Sequence, residues 1–309
     1  MDGIINILKP PGMTSHDVVA FSRRTLKTKK IGHTGTLDPG VTGVLPICVG
    51  RATKIVQYLT DQDKVYQGEL TLGISTSTQD RFGEILSEQD ASHLQLASVQ
   101  EVVEGFIGDI MQVPPMVSAV KHQGKRLYEL AREGIEVERE PRPVSIYSLK
   151  ITESGSWHTP HPWIRFEVHC SKGTYVRTLC ADIGEQLGVG GHMSQLVRTR
   201  SGPFRITEAV SLETLQEAAA NGVLEQYLQP IEVGIPHLPK VLVKDAVITA
   251  IAHGNRIFQP GISNAPDDIN DGDIVRLHSA AHLLAIAKVV PVLNKMGGSS
   301  LAFQPITVF

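Results

Sequence analysis

Residues 32–43, "GHTGTLDPGVTG", set four glycines, three threonines and one proline around a single carboxylate, Asp38. A phosphate-cradling loop is one reading, because Gly35 and Gly40 have the G-x-x-x-x-G spacing and Thr42 stands at the hydroxyl position. Val41 occupies the lysine position, however, and Asp38-Pro39 lie inside the loop, where a carboxylate repels phosphate and a proline removes a donor N–H. An aspartyl-phosphate motif of the D-K-T-G-T kind fails as well, since its nucleophile would stand where Gly32 is. A rigid mount for a reactive carboxylate remains. Pro39 has a fixed φ and biases Asp38 toward extended conformations, while the flanking glycines let a ligand come close. A carboxylate with a reference pKa of about 3.9 is ionised at neutral pH and can act as nucleophile or base. An Asx turn, with Asp38 bonded to its own backbone, accounts for the same composition, and the loop alone leaves both open.

On the N-terminal side, "IINIL" (4–8) reads as a buried strand ended by "KPPGMTS", where Ser15 is placed to cap a helix running to about Leu26, with Asp17 in its first turn. After the loop, "GVLPICVG" reads as a short apolar strand, and "VYQGELTLGI" alternates with Tyr66, Leu70, Leu72 and Ile74 on one face. "SVQEVVEGFIGDI" spaces Val99, Val102, Val103, Phe106, Ile107 and Ile110 as one helical face. A short helix from about Leu127 ends at Gly134, and "VSIYSLKI" and "WIRFEVHC" alternate as strands. In "TYVRTLCADIGEQLG", Val176, Leu179, Cys180, Ile183 and Leu187 share a helical face, so Arg177 projects to one side; a further helix starts near Ser211. "GIPHLPK" (234–240) reads as a linker, followed by short apolar stretches that suggest a small β-rich domain. Strands and helices mixed without a βαβ rhythm predict an α+β fold, with domains over 1–237 and 238–309.

Net charge is -3, but the charges are segregated. Residues 1–60 carry eight Lys/Arg against three Asp/Glu, 61–120 two against ten, 121–205 thirteen against nine, and 206–239 five acids with no base. Two basic segments on an acidic chain are compatible with a nucleic-acid face as well as with ordinary solvated charge. No apolar run approaches the roughly 18 residues of a membrane span, and "MDGIINILKPPG" lacks the features of a signal peptide. Three cysteines without C-x-x-C spacing read as reduced core thiols, so a cytoplasmic protein is expected.

Five blocks occur in order: "NILKPPGMTS", "GHTGTLDPGVTGVLPICVGRATK", "KVYQGELTLG", "VPPMVSAVKHQGKRLYELAREG" and "CSKGTYVRTLCADIGEQLGVGGHMSQLVRTRSGPF". Over residues 2–205 the chain resembles the TruB-type tRNA pseudouridine(55) synthases, in their bacterial stand-alone branch. The resemblance implies a pseudouridine-synthase-like catalytic domain with a central mixed, largely antiparallel sheet flanked by helices, and a PUA-like RNA-binding domain from about residue 238. It implies isomerisation of uridine 55 in the T loop of tRNA: the C1′–N1 bond breaks, the base turns and C1′–C5 forms, with no cofactor and no metal. Asp38 becomes the essential carboxylate and Arg177 its charge partner, Tyr66 the residue stacked on the target base, and Tyr175 and Leu196 its pocket lining. His33 fills the stack that the flipped base vacates, and Lys9 supports the loop and contacts substrate. The segment 121–142, with Lys121, Lys125, Arg126, Arg132, Arg139 and Arg142, corresponds to an insertion that clamps the T arm.

The implied partner is tRNA alone, without guide RNA or membrane, and the implied state a monomer, with a possible accompanying tRNA-folding role. Many relatives read P-x-Y-S-A where this chain has "PMVSA", so Val117 replaces a tyrosine and its pocket contact must be made otherwise. A subunit of a guide-dependent ribonucleoprotein and a non-catalytic tRNA chaperone are the alternatives. A hydrolytic glycosidase fits poorly, because no second carboxylate follows at a convincing spacing.

Overall fold

The computed structural model describes residues 1–293 and 299–309. The chain runs through β1 (Gly3–Lys9), α1 (Ser15–Thr25), β2 (Ile31–His33), β3 (Thr42–Val49), α2 (Val56–Thr60), β4 (Lys64–Leu72) and the hairpin β5 (Ile74–Thr76) and β6 (Ile85–Glu88). Next come α3 (Leu96–Gly105), β7 (Gly108–Gln112), the small hairpin β8 (Lys121–His122) and β9 (Lys125–Arg126), and α4 (Leu127–Arg132). Then follow β10 (Arg142–Gly155), β11 (Trp163–Cys170), α5 (Val176–Gln186), β12 (Gly191–Ser201), β13 (Phe204–Arg205) and α6 (Leu212–Ala220). The remainder holds β14 (Lys240–Val243), α7 (Ile248–Ala252), β15 (Ile257–Phe258), β16 (Ile262–Asn264), β17 (Ile274–His278), β18 (Leu283–Leu293) and β19 (Ser299–Val308).

The large sheet has the order β1-β3-β12-β4-β11-β10-β7, with β2 on β3 and β13 on β12. Its pairs are antiparallel except β12 with β3, where Val197 and Arg198 face Thr42 and Gly43 in parallel. That mixed, largely antiparallel sheet with flanking helices is the expected α+β class. The alternation along β4 buries Tyr66, Leu70 and Leu72 with Ile164, Phe166 and Val168 of β11, under Val99 and Val103 of α3 and Leu179 and Ile183 of α5. A second cluster packs Val18 and Val19 of α1 and Leu212 and Leu215 of α6 against Ile5, Ile7, Leu45 and Ile47.

Three local expectations change. Thr14, not Ser15, caps α1, forming a capping box with Asp17. Ser15 is fully buried and bonds the loop instead, accepting from the Leu37 N–H at 2.8 Å. The helix expected through Ile110 stops at Gly105, because Gly108–Gln112 pairs with Arg142–Ile146 as the sheet's outer strand; a tertiary partner outweighs the helical spacing there. The 234–240 stretch is a packed seam, not a free linker: Ile235 and Leu238 are buried with Ile4, Ile55 and Leu59 on one side and Ile286 on the other.

The second sheet, β15-β19-β18-β17-β14-β16 among the described residues, has its own core of Val241, Val275, Leu277, Ala287 and Phe303. It meets the first unit through that seam and through Lys54, whose ammonium donates to the Val308 carbonyl at 2.6 Å.

Where β3 leaves the loop, Gly43 has φ +120 and packs against β12 so closely that a Cβ would sit 2.2 Å from the Arg198 carbonyl oxygen. Only glycine fits there. Gly43→Ala is expected to cost about 3 kcal/mol, from backbone strain plus a displaced strand. A denaturant midpoint unchanged from the parent would refute this account of the loop's exit.

Candidate active site

The "GHTGTLDPGVTG" loop leaves β2, crosses in front of the sheet and returns as β3. Its turn is closed by main chain, the Val41 N–H donating to the Asp38 carbonyl at 3.0 Å, so the carboxylate is not needed as an Asx cap. Behind the turn, Lys9 at the end of β1 is fully buried. Its ammonium donates to the carbonyls of Pro10 at 2.9 Å, Pro39 at 3.3 Å and Val41 at 2.6 Å. Thr42 Oγ1 donates back to the Lys9 carbonyl at 2.6 Å, and the Gly12 N–H to the Pro39 carbonyl at 2.8 Å. "LKPPG" and "LDPGVT" are thus laced together around one cation.

The Asp38 side chain points forward to Arg177 on the first turn of α5. Arg177 Nε lies 2.9 Å from Asp38 Oδ2, and the arginine side chain is 4% exposed. Its other nitrogens donate to the carbonyls of Thr78 at 2.9 Å and Val117 at 2.7 Å. The sideways projection of Arg177 is therefore inward, between three loops. Burial raises the Asp38 pKa above the ordinary carboxylate value; Arg177 opposes the shift and the Asp80 charge adds to it.

Asp38, Tyr66, Tyr175, Arg177 and Leu196 line one cavity of about 500 Å³, with Val41, Val117, Arg142 and Arg198 also on its wall. Asp38, Arg177, Val117 and Leu196 also border a neighbouring cavity of about 630 Å³ that opens toward Pro11, Phe82 and Gln195. Tyr66 is buried, and burial pushes its phenol pKa up. The Arg198 guanidinium acts on that phenol from the facing position on β12. The Tyr175 backbone is gripped by the Gln112 amide, which accepts from its N–H at 2.7 Å and donates to its carbonyl at 3.1 Å.

Two of the expected site residues lie outside both cavities. His33 lines neither cavity; it sits half-buried at the end of β2, its ring edge-on to His16 with centroids 5.6 Å apart. Burial lowers its pKa to about 4, so its ring is neutral at physiological pH. Lys9, expected to support the loop and to contact substrate, has all three ammonium protons committed to carbonyls behind the loop. Arg198, which no sequence motif marked out, is 1% exposed and donates to the carbonyls of Val44 at 2.7 Å and Gly35 at 3.2 Å. Its alternation with Leu196 along β12 was the available signal. At residue 117 the carbonyl, available from any side chain type, makes the contact to Arg177, so valine there leaves the anchor intact.

Comparison with known proteins assigns this arrangement to a class. A solved H/ACA ribonucleoprotein bound to a substrate RNA containing 2′-deoxyuridine superposes with a TM-score of 0.76 at 30% identity, covering 99% of this chain and 84% of that one. An archaeal box H/ACA Nop10–Cbf5 complex gives 0.75 at 32% identity, covering 99% and 85%. The class is the pseudouridine synthases, enzymes that isomerise uridine. Residues 23–176 match the N-terminal domain of the TruB family of pseudouridylate synthases, 177–235 the C-terminal domain of tRNA pseudouridylate synthase B, and 239–296 a PUA domain. The tRNA pseudouridine synthase B of Pelotomaculum thermopropionicum is 50% identical over 308 residues, covering 100% of this chain and 97% of the relative. That of Bacillus subtilis is 48% identical over 261 residues, 84% of each. The chain belongs to the TruB family.

Three variants test this geometry. Lys9→Met removes the cation behind the loop, so thermal stability falls and turnover drops about tenfold or more through a displaced Asp38. The salt dependence of RNA binding stays as it was; a slope reduced by about one ion would mean that Lys9 contacts phosphate after all. Arg177→Lys keeps the charge and loses the fork, so kcat falls by about 100-fold. In Arg177→Gln the opposing charge is gone, so the acid limb of kcat, where Asp38 protonates, moves to still higher pH. An acid limb unmoved in that variant would separate Arg177 from the titration of Asp38.

Proposed function

We propose that this chain isomerises uridine 55 in the T loop of tRNA to pseudouridine, as a monomer in the cytoplasm acting on bare tRNA without guide RNA. The observation that carries the reading is the Asp38 carboxylate, held by Arg177 at the floor of a base-sized cavity walled by Tyr66. The names of the two bacterial relatives support tRNA as substrate.

The target base lies in a folded loop, so it must be extruded, at a cost of a few kcal/mol that contacts in the pocket offset. Once seated, it meets the ring of Tyr66, with Tyr175 and Leu196 on the walls. Its entry expels water from Asp38, which favours the protonated acid; the adjacent guanidinium opposes that shift and aims the carboxylate. An ionised Asp38 can attack C1′, attack C6, or take a ribose proton to give a glycal. In each route the C1′–N1 bond breaks, the base turns within the cavity, and the bond from C5 to C1′ forms before C5 loses its proton. His33, neutral and outside the cavity, suits the place the flipped base leaves in the loop.

Residues 1–237 form the catalytic unit in this reading, and 238–309 an RNA-binding one. In the insertion, Lys125 pairs with Glu133 and Arg139 with Glu136. Lys121, Arg126, Arg132 and Arg142 have no carboxylate partner among the described residues, which leaves them for phosphates of the T arm.

Tritium release from tRNA transcript labelled at uridine C5 tests the assignment. Wild type releases tritium from the transcript alone, while Asp38→Ala releases none and keeps its tRNA affinity within about threefold. Equal release from both proteins removes Asp38 from the chemistry. A need for an added guide RNA overturns the stand-alone reading, and release from a transcript lacking uridine 55 overturns the position.

A further inference from the structure

Gln79, in the turn after β5, takes a left-handed backbone, φ +61, that costs a glutamine about 1 kcal/mol or more. Main chain alone accounts for part of its hold: its N–H donates to the Thr76 carbonyl at 3.1 Å, and its carbonyl accepts from the Met193 N–H at 3.0 Å. The side chain adds a second tie. Thr178 Oγ1 donates to Gln79 Oε1 at 2.9 Å, and Thr178, 2% exposed, follows Arg177 on α5. Neither residue lines the two cavities around Asp38.

The peptide between Thr78 and Gln79 is one plane, so the φ of Gln79 determines where the Thr78 carbonyl points. That carbonyl accepts from Arg177 Nη1 at 2.9 Å. Helix α5 therefore grips the same turn twice, through the hydroxyl of Thr178 and the guanidinium of Arg177. We infer that Gln79 and Thr178 are positioning residues for the Asp38–Arg177 pair: their hydrogen bond fixes the Thr78–Gln79 peptide, which sets the plane of the guanidinium against the carboxylate. This rests on the reading of Asp38 and Arg177 as the reacting centre. A glutamine that only filled a turn would be better replaced by glycine, which adopts this backbone without strain.

That contrast supplies the test. Gln79→Gly relieves the backbone and deletes the tie, so thermal stability holds or rises while kcat for tritium release falls about tenfold. KM stays within about twofold, because neither residue touches substrate, and the acid limb of kcat moves to higher pH as Arg177 loses its aim. Thr178→Val, close in shape but without the hydroxyl, loses the same activity, and Thr178→Ser regains it. The double variant Gln79→Gly/Thr178→Val loses no more than either single one, as a shared interaction requires. Wild-type kcat in Gln79→Gly or in Thr178→Val overturns the inference, as does additive loss in the double variant. Asp38→Ala, run beside them, keeps the two claims apart: full turnover there would sink the catalytic reading itself.

Discussion

One guanidinium organises the site. Arg177 is buried, and taking its charge out of water costs several kcal/mol unless partners replace the solvent. The fold supplies one carboxylate, Asp38, and two carbonyls, Thr78 and Val117, each from a different loop. A planar group with donors in fixed directions requires those three loops to stand in one arrangement, which a flexible ammonium would not. The Asp38 carboxylate, the turn after β5 and the segment leading into the 121–142 insertion are consequently positioned by a single side chain.

The rest of the molecule holds that side chain and its partner in place. Lys9 props the Asp38 turn from behind, and burial lowers its pKa to about 8, with the Asp38 charge opposing the shift. Arg198 ties the loop's Gly35 and the strand's Val44 to β12. Three cations surround one strongly bent loop, yet the direct ion pair at Asp38 is with Arg177. The other two have their donors on main-chain carbonyls, so Asp38 is rigid without being fully neutralised. The carboxylate thus keeps a face toward the cavity, as a reactive group must.

Burial and charge act in opposite directions on Asp38, and both come from the same packing. Burial in the cavity wall raises its pKa, and the arginine that aims it opposes that rise without cancelling it. The seam at 234–240, buried between the two sheets, extends this continuity: the second sheet packs against residues of β1 and of the segment after β3.

Much of this was legible in the chain. The alternation of β4 and β11, the helical face of α5, the glycine end of α4, and the α+β class follow from periods and punctuation that act within a few residues. The ordered blocks singled out Asp38, Arg177, Tyr66, Tyr175 and Leu196, which line one cavity. The helical spacing from Val99 to Ile110 misled, because the second half finds a strand partner in Arg142–Ile146. The support expected of Lys9 takes the form of three carbonyls around its ammonium, a set that no residue pattern announces. Val117 looked like a loss, although position 117 contributes its backbone to Arg177. By itself the sequence determined most of the elements and the class, and singled out the residues that meet at the cavity, because those depend on local pattern and residue chemistry. Only the tertiary structure decided which carbonyls meet which cations, because a carbonyl is present at every residue and its partner is chosen by packing alone.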